Sequence, residues 1–178
     1  MTTAVKNDRL KKRFEKWDVN GNGRIEKSDY EAEARRIIAA FGEAAESPQA
    51  RVLTNAFIVM FEYLAGKAGV GPDGSMTLEQ FTEVVEAEVF ASGDAGFSRV
   101  VEPTIRAIVG LCDTDGDGEV SHREFGKWLD AIGVEPSAAK ASFEAIDTNG
   151  NGKLTVDELV RAVRDYHLGK LDVPLLGR

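Results

Sequence analysis

The sequence predicts an all-α protein with four helix–loop–helix units in two pairs, packed into one compact domain. Three observations lead to this fold class: a repeated twelve-residue loop, helical apolar stripes on both sides of it, and a fourth, degenerate copy. The intact copies are Asp18–Asp29, Asp113–Glu124 and Asp147–Glu158. Alignment on the apolar residue that follows each copy reveals the fourth, Gly69–Gln80.

The repeats divide the 178-residue chain. The first pair of units spans about residues 5–92, the second pair about residues 97–168, and a tail covers residues 169–178. Stretches that carry glycine or proline separate the units, at Gly42–Pro48, Ser92–Gly96 and Gly133–Pro136. We expect all of residues 1–178 to form a single domain.

Apolar residues recur at helical spacing beside the loops. Leu10, Phe14 and Trp17 precede the first loop in the i, i+4, i+7 pattern of one helix face. Pro103 lies inside another helical pattern and predicts either a helix start or a kink there. Capping-box spacing predicts where the helices after the loops begin, with the pairs Ser28 and Glu31, Thr77 and Gln80, Ser121 and Glu124, and Thr155 and Glu158.

The repeated loop has the composition of a calcium site. Calcium is a hard cation that takes six to eight oxygen ligands, and an EF-hand loop supplies them from positions 1, 3, 5, 7, 9 and 12. Position 6 turns sharply and therefore favours glycine, whereas position 7 uses its backbone carbonyl, so its side chain is free to vary. Three such loops in phase are far more specific than one acidic turn.

The sequence therefore predicts three bound calcium ions. The candidate ligands are Asp18, Asn20, Asn22, Arg24 and Asp29 in the first loop, Asp113, Asp115, Asp117, Glu119 and Glu124 in the third, and Asp147, Asn149, Asn151, Lys153 and Glu158 in the fourth. In the second loop, Gly69, Gly71 and Gln80 stand where ligands are needed. We expect that loop to bind no metal and to serve as the structural partner of the first.

The first loop differs from the others at its last position. Asp29 is one methylene shorter than the usual glutamate, so it reaches an ion with fewer oxygens, although Glu26 at position 9 partly compensates. Fewer ligands favour octahedral Mg²⁺. We predict that Mg²⁺ competes best with Ca²⁺ at the loop from Asp18 to Asp29.

Charge and composition narrow the function further. The formal net charge is −8, and three Ca²⁺ ions would bring it to −2 by adding six positive charges. A chain this acidic is a poor partner for nucleic acid. The longest apolar run, Ala56–Phe61, is too short for membrane insertion. With one cysteine, Cys112, and no apolar leader, we expect a cytoplasmic monomer that needs no protein partner to bind metal.

The order of intact, degenerate, intact and intact loops resembles the sarcoplasmic calcium-binding proteins, and more closely their calerythrin-like bacterial relatives. The segments Asp8–Phe14, Ile108–Asp113 and Val163–Val173 also resemble these bacterial relatives. The resemblance implies a compact domain with a buffering or transport role for calcium. It also implies short β contacts between paired loops at position 8, joining Ile25 to Met76 and Val120 to Leu154.

The sequence is compatible with a calcium buffer, a calcium sensor or an enzyme, and these classes differ in what they require. A buffer needs no exposed apolar patch, and the sequence has three methionines, too few for the Met-rich groove of a sensor. A sensor that grips a partner helix is the alternative, if the apolar tail Leu168–Leu176 leaves on calcium binding. The third class is an enzyme, because calcium-triggered photoproteins resemble this architecture. Trp17, Trp128, Tyr166 and His167 fit ordinary core positions instead, so we expect no catalytic activity.

Overall fold

The computed structural model describes residues 2–173, with side chains from residue 4, and is almost entirely helical. The first half contains α1 (Thr2–Trp17), β1 (Ile25–Glu26), α2 (Lys27–Ala40), α3 (Pro48–Lys67), β2 (Ser75–Met76), α4 (Leu78–Val85) and a π-helical segment, Glu86–Phe90. The second half contains α5 (Gly93–Val100), α6 (Glu102–Cys112), β3 (Val120–Ser121), α7 (His122–Ala131), α8 (Pro136–Ile146), β4 (Lys153–Leu154) and α9 (Val156–His167). The predicted fold class is confirmed.

Two-residue antiparallel strands join the loops in pairs. Ile25 faces Met76 in the first pair, and Val120 faces Leu154 in the second. All four side chains are buried, Val120 being 3% exposed and the other three 0%. The predicted contacts at position 8 are therefore confirmed. Each loop contributes one apolar residue that covers the core beneath its pair.

The helices after the loops begin at the same point of every repeat. The capping boxes Thr77 and Gln80, Ser121 and Glu124, and Thr155 and Glu158 are confirmed. The box predicted at Ser28 and Glu31 is wrong, since α2 is capped by Glu26 with Asp29 as its partner. All four N-cap residues stand at position 9 of their loops: Glu26, Thr77, Ser121 and Thr155. The position within the loop therefore determines where the next helix begins.

The segment between the two halves is more ordered than predicted. Ser92–Gly96 was expected to be a linker, but α5 already begins at Gly93, after the π-helical segment. Gly96 permits a close approach, because a Cβ there would lie 2.3 Å from the carbonyl oxygen of Val89. Pro103 lies in the first turn of α6 and so starts that helix.

The apolar helix faces meet in one core that both halves share. Helix α3 packs on α6, and α1 packs on both α4 and α9. Near the first loop, the ring of Trp17 stacks on Tyr30 at 4.0 Å and meets the edge of Phe57 at 5.0 Å. Aromatic pairs in these arrangements add stability beyond the area that they bury.

The start of the predicted tail lies against α1. Arg9 donates to the carbonyl oxygens of Tyr166 and Leu171, the latter at 2.7 Å, and pairs with Asp172 at 3.2 Å. Val173 is buried. Residues 174–176 of the predicted tail lie outside the described residues. Over residues 2–173, no helix combines the length and apolarity needed to cross a bilayer.

Candidate metal-binding loops

Each intact loop wraps its backbone around the carboxylate at position 1. The amides of Gly23, Gly118 and Gly152, at position 6, donate to Oδ2 of Asp18, Asp113 and Asp147 at 2.8, 2.7 and 2.9 Å. Each of these glycines has a φ near +79°, a conformation that other L-residues rarely adopt. The predicted turn at position 6 is thus present in all three loops.

The side chains at positions 3 and 5 repeat one hydrogen-bond pattern. At position 3, a side-chain oxygen accepts a hydrogen bond from the backbone amide of position 5, at 3.0 Å in Asn20, 3.1 Å in Asp115 and 3.0 Å in Asn149. At position 5, a side-chain oxygen accepts a hydrogen bond from the backbone amide of position 7, at 2.9 Å in Asn22, 2.9 Å in Asp117 and 3.0 Å in Asn151. The three loops therefore hold their oxygen-bearing side chains in one common arrangement.

The carboxylate at position 12 is buried and folds back on the loop. Asp29, Glu124 and Glu158 are 2%, 6% and 5% exposed. One oxygen of each accepts the amide of position 9, at 2.9, 3.1 and 3.0 Å. In both glutamates the other oxygen lies near a threonine hydroxyl at position 2, at 3.5 and 3.4 Å. The residue at position 12 thus completes the capping box of the following helix and folds back on its own loop in all three cases.

The charges inside the loops fit a divalent cation. Carboxylate oxygens of Asp113, Asp115 and Asp117 lie within 4.8 Å of one another. The pKa of Asp115 is raised from its usual value, first by a hydrogen bond with Asp113. In the fourth loop, Oδ1 of Asp147 is buried and has no hydrogen-bond partner. A buried carboxylate oxygen without a partner is costly, and a bound cation would remove that cost. The oxygens of Asp113, Asp115, Asp117 and Asp147 are of the type that calcium prefers as ligands.

Side chains at position 7 reach across to the paired loop. Lys153 of the fourth loop forms an ion pair with Asp117 of the third. Arg24 of the first loop donates to the hydroxyl of Ser75 in the second at 3.1 Å. Position 7 is expected to supply only its backbone carbonyl, so its side chain can be any residue. The sequence therefore gives no indication of these contacts between loops. Lys153 therefore links two candidate sites.

The second loop follows a different path. Its position-6 amide, Gly74, donates to the carbonyl of Gly71 at 3.1 Å instead of to a carboxylate. Gly69 and Gly71 have a φ of +79°, whereas Gly74, at position 6, does not have the positive φ of the corresponding glycines in the intact loops. A Cβ on Gly74 would lie 2.3 Å from the carbonyl oxygen of Val70. This glycine is needed for close packing.

Family models and relatives agree with this geometry. The model described as "EF-hand domain pair" matches residues 102–164, and the one described as "EF hand" matches residues 10–32. Calerythrin of Saccharopolyspora erythraea is 50% identical over 177 residues, covering 99% of this chain and 100% of the relative. The sarcoplasmic calcium-binding protein of Perinereis vancaurica tetradentata is 30% identical, covering 93% and 91%.

The chain is a calerythrin-like member of the sarcoplasmic calcium-binding protein family. A solved structure of a Streptomyces coelicolor calcium-binding protein is also similar, with a TM-score of 0.75 at 32% identity, over 92% of this chain and 98% of that one. As a member of this family, the chain is a calcium-binding protein and not an enzyme.

Proposed function

We propose that the chain binds three calcium ions, one in each intact loop. The ligands would come from positions 1, 3, 5, 7 and 12, with Arg24, Glu119 and Lys153 contributing only backbone carbonyls. The proposal is supported most directly by the position-6 amide, which donates to a carboxylate in the three intact loops but to a carbonyl in the second. The second loop would then serve the first through the Ile25–Met76 contact.

The first site is proposed to be the most tolerant of Mg²⁺. Asp29 occupies the same backbone-linked position as Glu124 and Glu158, so its shorter side chain changes reach without changing the loop. Burial is the main cause that raises the pKa of Asp29, and a bound cation would offset this penalty.

We propose that the protein is a cytoplasmic calcium buffer acting as a monomeric domain that spans residues 1–178. A sensor must expose apolar surface when it binds calcium. In this structure the apolar helix faces of both halves are buried against one another in a common core. Among residues 4–173, the large exposed hydrophobic side chains are four valines, Val5, Val19, Val52 and Val59. The start of the tail is held by Arg9, which also lies 4.1 Å from the ring of Tyr166.

Hydrogen exchange of the tail separates a buffer from a sensor. The amides of Lys170 and Leu171 donate to the carbonyl of Asp165 at 2.8 and 3.1 Å, so both should be protected. A buffer keeps this protection when calcium is added. A sensor whose tail departs would lose it, which would overturn the proposal. Arg9→Gln, which releases the tail contacts, supplies the reference for a displaced tail.

A further inference from the structure

The core contains a cavity of about 160 Å³ between the two halves. Helices α1 to α7, α9 and the π-helical segment all contribute to its wall. Most of the lining is apolar, and it includes both tryptophans of the sequence, Trp17 and Trp128. An apolar cavity of about 150 Å³ in another protein stays dry and binds benzene. This cavity is therefore large enough for one aromatic ring.

A cation lines the same cavity. Arg13 of α1 is half-buried at this cavity, and it makes no hydrogen bond and no ion pair with any other residue in the described part of the chain. An arginine that is partly withdrawn from water usually pairs with a carboxylate or phosphate. Among the described residues no carboxylate pairs with Arg13, so its guanidinium fork is open to an anion that enters the cavity.

The neighbouring charges leave Arg13 available. Glu33 also lines the cavity, but it is already bound by Arg36, whose Nε lies 2.9 Å from Oε2. Lys16 adds a second positive charge to the lining. His167 is uncharged at neutral pH, since burial and the charge of Arg13 lower its pKa to about 3. The polar edge of this cavity is therefore positive in a chain of net charge −8.

From this geometry we propose that the cavity binds a small aromatic carboxylate, with its ring among the apolar side chains and its carboxylate on Arg13. The ring is favoured over an alkyl chain by the aromatic wall, to which Tyr30, Phe57, Phe81, Phe90 and Phe97 also belong. The carboxylate is favoured over a neutral group because the guanidinium fork matches its two oxygens.

Phenylacetate and its neutral analogue phenylacetamide are suitable probes for the calcium-saturated protein. Both tryptophans line the cavity, so binding is read from intrinsic fluorescence. Phenylacetate is expected to give a saturable change and to bind more tightly than phenylacetamide. No saturable change at the solubility limit of phenylacetate would overturn the proposal.

Three variants locate the site. Arg13→Gln should weaken the binding of phenylacetate about tenfold or more. The binding of phenylacetamide should be unaffected, and this would show that the cavity is intact in the variant. Lys11→Gln removes the same charge from an exposed position of α1 and should change neither affinity. Ile108→Phe fills the cavity and should abolish both. The proposal fails if Arg13→Gln and Lys11→Gln behave alike, or if Ile108→Phe binds phenylacetate as the parent chain does.

Discussion

In the first loop, the residue at position 12 is an aspartate held by the same backbone amide that holds glutamate in the third and fourth loops. The side chain of Asp29 is one methylene group shorter than those of Glu124 and Glu158. We therefore expect this methylene group to set the ion preference of the first loop. The difference is visible in the sequence, because the loop register identifies the residue without any knowledge of packing.

Asp29→Glu is expected to raise the preference of the first loop for Ca²⁺ over Mg²⁺ by about tenfold, or ~1.4 kcal/mol, because the longer side chain supplies a further oxygen. The amide of Gly23 reports on this loop in NMR titrations with each ion, since it donates to Asp18. The matched variant Glu124→Asp should make the third loop more tolerant of Mg²⁺. An unchanged ion preference in both variants would contradict the explanation.

His167 makes stability depend on pH. The ring is buried, its Nδ1 donates to the carbonyl of Val163 at 2.8 Å, and burial lowers its pKa to about 3. The unfolded chain binds a proton near pH 6.5, so it binds more protons than the folded chain between about pH 6.5 and 3. This contribution to stability is complete above pH 6.5 and is lost as the pH falls.

His167→Asn should therefore remove about 1.4 kcal/mol of the stability difference between about pH 7.5 and pH 5.5. Urea unfolding of the calcium-saturated protein at both pH values measures this difference. His122 is exposed and stacks on Phe143, so His122→Gln should keep the contribution of His167. An equal effect of the two substitutions would show that burial of His167 is not its cause.

Among the secondary-structure elements, the strand pairs and most of the helix starts agree with the expectations from the sequence. The family resemblance implies the contact between Ile25 and Met76 at position 8, and capping-box spacing predicts the starts of α4, α7 and α9 but not that of α2. The segment Gly93–Val100 was harder to predict because its glycines indicate a linker, whereas packing of Gly96 against Val89 permits a helix. Local composition cannot reveal such a contact.

Met76→Ala tests whether the second loop supports the first. Removing this buried side chain should cost about 2–5 kcal/mol of stability, and it should weaken calcium binding at the first loop only. The amides of Gly23, Gly118 and Gly152 report on the three intact loops separately. Leu154→Ala is the matched variant in the other pair and should leave the first loop unaffected. Equal weakening at all three loops in either variant would contradict this role.

At the scale of the whole molecule, the two halves share one core and one cavity. The apolar stripes of Leu10, Phe14 and Trp17 predict that such a core exists, and all three residues are buried. The stripes cannot predict a void or the position of Arg13 beside it, because these depend on how eight helices meet. The same limit applies to the ion pair between Lys153 and Asp117, which spans two loops.

Calcium should also stabilise the whole chain. Each site adds about 2.7 kcal/mol when free calcium is a hundredfold above its dissociation constant. The three intact loops are joined to the core through Ile25, Val120 and Leu154, so stabilisation by bound calcium should reach both halves.

We expect three loops to bind calcium and the loop Gly69–Gln80 to bind none. Isothermal titration of the full chain with calcium in magnesium-free buffer counts the bound ions. We predict three ions per chain, falling to one when Glu124→Gln and Glu158→Gln are combined. A stoichiometry of four or of two for the unaltered chain, or three ions retained in the double variant, would contradict the account.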